Sequence, residues 1–330
     1  MALRNVCVQT DQDQTSRQRF GNPLGSVAVQ TFPVRVLDEL DAALADGIDE
    51  LLAVARRTDG VAALNEQALL LLRDPGASVC HLVAEADGAL LGYALLDRSG
   101  DAAARAECVV RPDARHRGIG RALVKQLLAQ SGGRTLEIWS HGDSPAAAAV
   151  ARHTGLRRVR ELRRMRLDLT DPLPAAVLPD GVTLRTFRPD TDAQAWVELN
   201  AAAFSGHPEQ GAMTLEDLQA RMHQPWFDPA GFFLAERDGV PVGFHWTKVH
   251  TEPAEVGEQR AVGEVYVIGV HPQAQGGGLG RALTLRGLHH LRDAGLGSVL
   301  LYVEADNAAA LRVYARLGFA VDAVDAQYRS

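Results

Sequence analysis

An eighteen-residue stretch occurs twice in this chain of 330 residues. Residues 106–123 read AECVVRPDARHRGIGRAL and residues 266–283 read YVIGVHPQAQGGGLGRAL. They coincide at Val110/Val270, Pro112/Pro272, Gly118/Gly278, Gly120/Gly280, Arg121/Arg281, Ala122/Ala282 and Leu123/Leu283, an offset of 160 residues. Downstream, WSHGDSPAAAAVARHTGL (139–156) corresponds to YVEADNAAALRVYARLGF (302–319) through Asp143/Asp306 and Gly155/Gly318, an offset of 163. Self-similarity at this distance, in a chain long enough for about two domains, reads as one domain repeated. Between the copies, residues 171–181 (DPLPAAVLPDG) carry three prolines and a closing glycine, which suits an extended connector. Residues 9–26 are polar and aperiodic, so residues 1–30 are expected to be a mobile extension. The first domain is then 31–170 and the second 182–330.

Within each copy a strand-like run (108–110; 265–270) passes through X-Pro into a glycine-rich turn and then a helix. In the second copy Leu283, Leu285, Leu288 and Leu291 lie near helical spacing. A strand follows at 298–304, then a helix starting near Asp306-Asn307 and closing at Gly318, then a short final strand. Upstream, residues 232–249 read as two strands joined at Asp238-Gly239, a hairpin signal. The fold class is α+β with a mixed, mostly antiparallel sheet flanked by helices in each copy.

Composition removes several function classes. Hydrophobic residues are 46% and charged residues 23%, ordinary globular values, and the net charge of −7 without a basic block argues against nucleic acid. No apolar run is long enough to span a bilayer and no leader pattern opens the chain, so a cytoplasmic protein without a membrane partner is expected. Cys7, Cys80 and Cys108 have no metal-ligand spacing, and no metal is expected.

The turn Gln275-Gly276-Gly277-Gly278-Leu279-Gly280 at a helix start is built for a pyrophosphate. Glycines let backbone N–H groups converge, and the helix terminus adds partial positive charge. Its recurrence as Arg115-His116-Arg117-Gly118-Ile119-Gly120 favours a functional over a purely structural turn. A P-loop is excluded because Gly280 is followed by Arg281-Ala282 rather than Lys-Ser or Lys-Thr. A dinucleotide fingerprint is disfavoured by the proline segment between strand and turn.

The strand-x-Pro-x-x-[Gln/Arg]-x-x-Gly-x-Gly pattern resembles the acyl-CoA loop of the Gcn5-related N-acetyltransferases. The run from Asp306-Asn307 through Tyr314 to Gly318-Phe319 is similar to that family's closing motif. The resemblance spans about residue 35 to the end and implies two tandem domains of that fold with acetyl-CoA as co-substrate. It further implies that acetyl-CoA lies against Ile268, Gly269 and Val270, with its pyrophosphate on Gln275, Gly276, Gly277, Gly278, Leu279, Gly280 and Arg281. Asn307, Ala308, Ala309, Ala310, Leu311 and Arg312 complete that set. In the first copy Cys108, Val109, Val110, His116, Arg117, Gly118, Ile119, Gly120 and Arg121 occupy the matching positions. The strings FSGHPEQG (204–211), WFDP (226–229), GFHWTKVH (243–250), GEVYVIGV (263–270) and LLYVEADNAAA (300–310) resemble a tandem-domain actinobacterial branch of the family. That likeness implies acetylation of the cysteinyl amine of Cys-GlcN-Ins, an amino-thiol pseudodisaccharide; a monomer is expected. A tandem acetyltransferase for another small amine and a non-catalytic acyl-CoA sensor are the alternatives.

Acetyl transfer to an amine needs a modest base and a proton for the departing thiolate. Glu264, at the start of the strand facing the cofactor, suits the base, and the Tyr314 phenol suits the acid. Backbone N–H groups around Ile268–Val270 can polarise the thioester carbonyl. The second copy has no cysteine, which leaves direct transfer in a ternary complex. The resemblance suggests Glu66, Glu209, Lys248, Glu264 and Tyr302 as acceptor contacts. Trp226 and Trp246 are expected in the core or a pocket wall, and His245 and His250 as structural residues. Aligned by the repeat, Ala104 stands opposite Glu264, Ala151 opposite Tyr314 and Ser144 opposite Asn307. The first copy therefore reads as inactive but able to bind acetyl-CoA. Gly276 and Gly277 stand where the family commonly has side chains, so weaker cofactor binding is expected.

Overall fold

The computed structural model describes residues 32–330 apart from 75, 101, 208–209 and 251–260. The expected N-terminal extension and Glu209 lie outside the described residues. The first half runs β1 (Val34–Leu37), α1 (Ala42–Asp59), α2 (Glu66–Leu72), β2 (Val79–Ala86), β3 (Ala89–Asp97), β4 (Ala103–Val110), α3 (Ile119–Gln130), β5 (Thr135–Ser140), α4 (Pro145–Thr154) and β6 (Arg157–Asp168). The second half runs β7 (Val182–Thr186), α5 (Pro189–Ala203), α6 (Leu215–Met222), β8 (Phe232–Arg237), β9 (Val240–His250), β10 (Val262–Val270), α7 (Leu279–Asp293), β11 (Ser298–Glu304), α8 (Ala308–Arg316) and β12 (Ala320–Arg329).

Local chemistry sets most of these boundaries. Asp41, Asn65, Ser144, Thr214 and Asn307 each accept a backbone N–H in the first turn of the helix they precede. Gly60 and Gly155 close α1 and α4 in the left-handed conformation. Both β2–β3 and β8–β9 turn on an Asp-Gly pair with positive φ at each residue, Asp87-Gly88 and Asp238-Gly239, as a two-residue hairpin requires. Strand alternation divides the core between two faces. On β2, Cys80, Leu82 and Ala84 pack with α3 and α4, whereas Val79 and Val83 pack with α1 and α2. The second half repeats this, with α5 and α6 over Phe232, Leu234 and Trp246, and α7 over Val265, Val299 and Leu301. Residues 171–181 form no regular element; Leu173 and Ala176 pack against the α7 core, and the Pro174 carbonyl meets His289 Nε2 at 2.9 Å. Among the described residues no helix is long and apolar enough to cross a membrane.

All twelve strands form one sheet in the order β1-β2-β3-β4-β5-β12-β6-β11-β10-β9-β8-β7. The last strands of the two halves are exchanged. β6 pairs antiparallel with β11, while β12 pairs antiparallel with both β5 and β6. The final strand is ten residues long rather than short, because it has two neighbours to pair with. Where the halves meet, His141, just after β5, lies 3.1 Å from Glu107 on β4 and 3.1 Å from Asp325 on β12. Burial alone would depress this imidazole, but the Glu107 charge and the hydrogen bonds to both carboxylates outweigh it and raise it to about 10.

Candidate active site

β10 and β11 run parallel only over Gly263–Val265 against Val299–Leu301; beyond this β10 continues on β9 alone. The strands therefore splay, and the β11-facing edge of residues 266–270 has no strand partner. Ile268 and Val270 turn their backbone groups to this edge, whereas those of Gly269, expected with them, face Phe244 on β9. β4 and β5 part in the same way after Ala106/Ile138, which puts the backbone groups of Cys108 and Val110 on the corresponding edge and leaves those of Val109 on β3. Burial, and then the Glu107 charge, push the Cys108 thiol up to about 12, which disfavours the thiolate.

Each splayed strand feeds a turn of one geometry. Gly276 and Gly278 have φ of +88° and +84°, and no side chain caps α7 at Gly278, which leaves its first N–H groups open. In the first half His116 and Gly118 take φ of +63° and +88°, and α3 likewise starts without a side-chain cap. A histidine held in the left-handed region costs ~1 kcal/mol, which marks the turn shape as required there. The fifth residue after each strand braces the loop: Gln275 Nε2 donates to the Val270 carbonyl at 3.2 Å, and Arg115 Nε to that of Val110 at 3.1 Å. A Cβ on Gly276, Gly277 or Gly278 would meet nothing within 4 Å. Such a cradle of open N–H groups at a helix start fits a pyrophosphate. Arg281, and on the other half Arg117 and Arg121, lie in or beside these turns.

Glu264 lies beyond the cofactor edge, on the face of β10 opposite α7, and its side chain is 10% exposed. It stands across from Lys248 on β9, yet the two charges do not pair. The Lys248 ammonium instead donates to Glu66 Oε1 from α2, and lies 4.3 Å over Trp226 and 5.1 Å over Tyr266. Glu264 Oε2 accepts from His250 Nε2 at 2.7 Å. A bulge between Val265 and Val267 turns Tyr266 into the same cluster. Its hydroxyl donates to Glu66 Oε2 at 2.6 Å and accepts from Arg221 Nε at 2.9 Å, while Arg221 Nη2 reaches Gln67 at 2.8 Å. Sequence reasoning missed Tyr266, Arg221 and Gln67; a tyrosine two residues from a buried carboxylate in an apolar strand is the one signal that was available.

Tyr314 is 7% exposed, edge-on to Phe319, with no hydrogen-bond partner for its hydroxyl among the described residues. Burial raises its phenol to about 12. Asn307 Oδ1 accepts from Ala310 N at 3.0 Å, so its side chain serves the start of α8. Ala308, Ala309, Ala310, Leu311 and Arg312 form the first turns of that helix. Tyr302 on β11 is 44% exposed and opposite Arg164 of β6. Trp246 is fully buried and Trp226 tilts against it at 5.6 Å. His245 is sealed, bonded through Nδ1 to the Leu283 carbonyl, and lowered to about 4 by burial.

The bulge corrects one alignment. Ala106 pairs with Ile138 as Val265 pairs with Leu301, so the residue matching Glu264 is Arg105, not Ala104. The extra residue at Tyr266 shifts the repeat by one upstream of it. Across from Arg105 stands Asp97, where the second half has Lys248 across from Glu264. The first half thus carries the reverse charge pattern, and a guanidinium cannot accept a proton.

Comparison with known proteins agrees with this geometry. The profile of the Acetyltransferase (GNAT) family matches residues 193–319, and an Acetyltransferase (GNAT) domain profile matches 77–153. "Mycothiol acetyltransferase" of Nocardia farcinica is 53% identical over 89% of this chain and 97% of its own length; that of Thermomonospora curvata is 54% identical over 89% and 99%. The chain belongs to the GNAT acetyltransferase family. The two halves are tandem GNAT domains. Among solved structures, a GCN5-related N-acetyltransferase from Sphaerobacter thermophilus has a TM-score of 0.67 at 25% identity, covering 91% of this chain and 96% of that one. A tandem GNAT protein of the clavulanic acid pathway shares the fold, with a TM-score of 0.67 at 23% identity, over 90% of this chain and 98% of that one.

Proposed function

We propose that this GNAT protein transfers acetyl from acetyl-CoA to the cysteinyl α-amine of Cys-GlcN-Ins, giving mycothiol. The acceptor is carried by the 53% identity with a mycothiol acetyltransferase over nearly the full length of both chains. Acetyl-CoA supplies an activated thioester. The open edge at Ile268 and Val270 and the turn from Gln275 to Arg281 hold and orient it in the second half.

Glu264, buried and not paired with the Lys248 ammonium across from it, takes the proton from the attacking amine. As the new C–N bond forms and the C–S bond breaks, Tyr314 protonates the departing thiolate. Its raised pKa keeps the phenol protonated until then. Backbone N–H groups of the splayed edge polarise the carbonyl. Glu66, Lys248 and Tyr302, with Glu209, hold the acceptor's ammonium and hydroxyls. In the first half Arg105 replaces the base and Ala151 the acid, so that half binds acetyl-CoA without turnover and contributes Glu66 to the acceptor site. The protein works as a cytoplasmic monomer, with residues 31–170 and 182–330 as its two domains.

The test is mass-spectrometric detection of product after purified protein is mixed with acetyl-CoA and Cys-GlcN-Ins. A product heavier by one acetyl group and acetylated on nitrogen supports the reading. No product from a protein that binds acetyl-CoA overturns the acceptor assignment.

A further inference from the structure

His250 has no metal-ligand spacing and reads from sequence as a structural histidine, but its surroundings differ from those of His245. His245 is fully enclosed, wedged against Gly287 and bonded to a helix carbonyl. The His250 side chain is 27% exposed and spends its Nε2 on Glu264 Oε2, on the site's side of the sheet. The default partner for Glu264 is Lys248, directly across the strand pair. That ammonium is drawn away by Glu66 and by the faces of Trp226 and Tyr266. The diversion has a chemical consequence. An adjacent ammonium would stabilise the carboxylate and weaken it as a proton acceptor, whereas the single hydrogen bond from the imidazole fixes its direction. Oε1 carries no hydrogen bond among the described residues, so one oxygen is held and the other is open.

We propose that His250 is a positioning residue for catalysis: it donates Nε2–H to Glu264 Oε2 and so aims Oε1 at the acceptor amine. This rests on the reading of Glu264 as the base. The residue lies one diagonal step along β9 from the Lys248 position, since His250 pairs with Val262. Its contact is therefore set by strand register rather than by a mobile loop.

The experiment measures product formation against pH for the wild type, His250→Ala, His250→Gln and Glu264→Gln, with thermal midpoints recorded for each. Lys248 on β9 stands across from Glu264, and Tyr266 on β10 and Tyr302 on β11 feel its charge; all are kept in the His250 variants. His250→Ala should lower kcat by about tenfold to a hundredfold, the worth of a hydrogen bond to a charged group. The KM for acetyl-CoA should stay within about twofold. His250→Gln, whose amide can donate the same bond, should recover most of the lost kcat. The proposal is overturned if His250→Ala keeps wild-type kcat while Glu264→Gln is inactive, or if His250→Gln is as slow as His250→Ala at an unchanged thermal midpoint. Full activity in Glu264→Gln would instead remove the base itself, and the positioning role with it.

Discussion

The latch between the halves gives a stability prediction with a definite sign. His141 is held by Glu107 and Asp325 in the folded chain and titrates at about 10, against 6.5 for the free side chain. Because the folded value is the higher one, its contribution is fully present below about pH 6.5 and is lost as the pH rises through about 10. At ~1.4 kcal/mol per pKa unit, the gap sets a ceiling near 5 kcal/mol. Replacing the ring by Asn leaves two buried carboxylates without their cation, a change that costs ~3–5 kcal/mol at neutral pH. The assay is urea unfolding of the wild type and His141→Asn from pH 6 to 10.5. The wild type should be several kcal/mol the more stable at pH 7, and the gap should shrink by at least ~2 kcal/mol toward pH 10.5. Other groups that titrate in this range appear in both proteins and cancel in the difference. A gap that stays constant across the range would refute the reasoning, since it would show that the His141 proton is not linked to folding.

Tyr314→Phe should lower kcat about a hundredfold with the KM for acetyl-CoA nearly unchanged, and the wild-type kcat profile should show no basic limb from this phenol below pH 10; steady-state kinetics against pH reads both. Gly277→Arg should tighten acetyl-CoA binding by about twofold to fivefold in a calorimetric titration, the worth of one exposed charge pair. Gly276→Arg should gain less, because φ of +88° strains any side chain there. Gly287→Ala should destabilise the fold by ~3 kcal/mol in urea unfolding, because its Cβ would stand 2.0 Å from the enclosed His245 ring.

What was legible in the sequence was local. The glycine turns, the Asp238-Gly239 hairpin, the Asn307 cap and the spacing from Asn307 to Tyr314 are set by residues a few positions apart, and the repeat shows that each occurs in a fixed order. The twofold fold followed from these. Non-local pairing stayed hidden. Nothing near 320–329 announces that this strand pairs with β5, and nothing in GEVYVIGV announces a bulge that moves the partner of Glu264 from Ala104 to Arg105. The cluster around Glu66 was visible only in part, because Tyr266 and Arg221 are separated from it by 200 and about 150 residues of chain. His250 read as structural because a lone histidine at a strand end carries no spacing signal; the register that puts it on Glu264 is a property of the folded sheet.

The crossed-over final strands bear on how the molecule is made on the ribosome. β5 finds its neighbour in the last ten-residue strand of the chain, and β6 finds one of its own in β11. A nascent chain that has emerged only through the connector therefore exposes an open sheet edge, and waits with it until β12 has been made. Cutting the gene at the connector would leave each product without the strand that completes it. The duplicated domain has become a single unit of inheritance, one that can be copied whole but not divided.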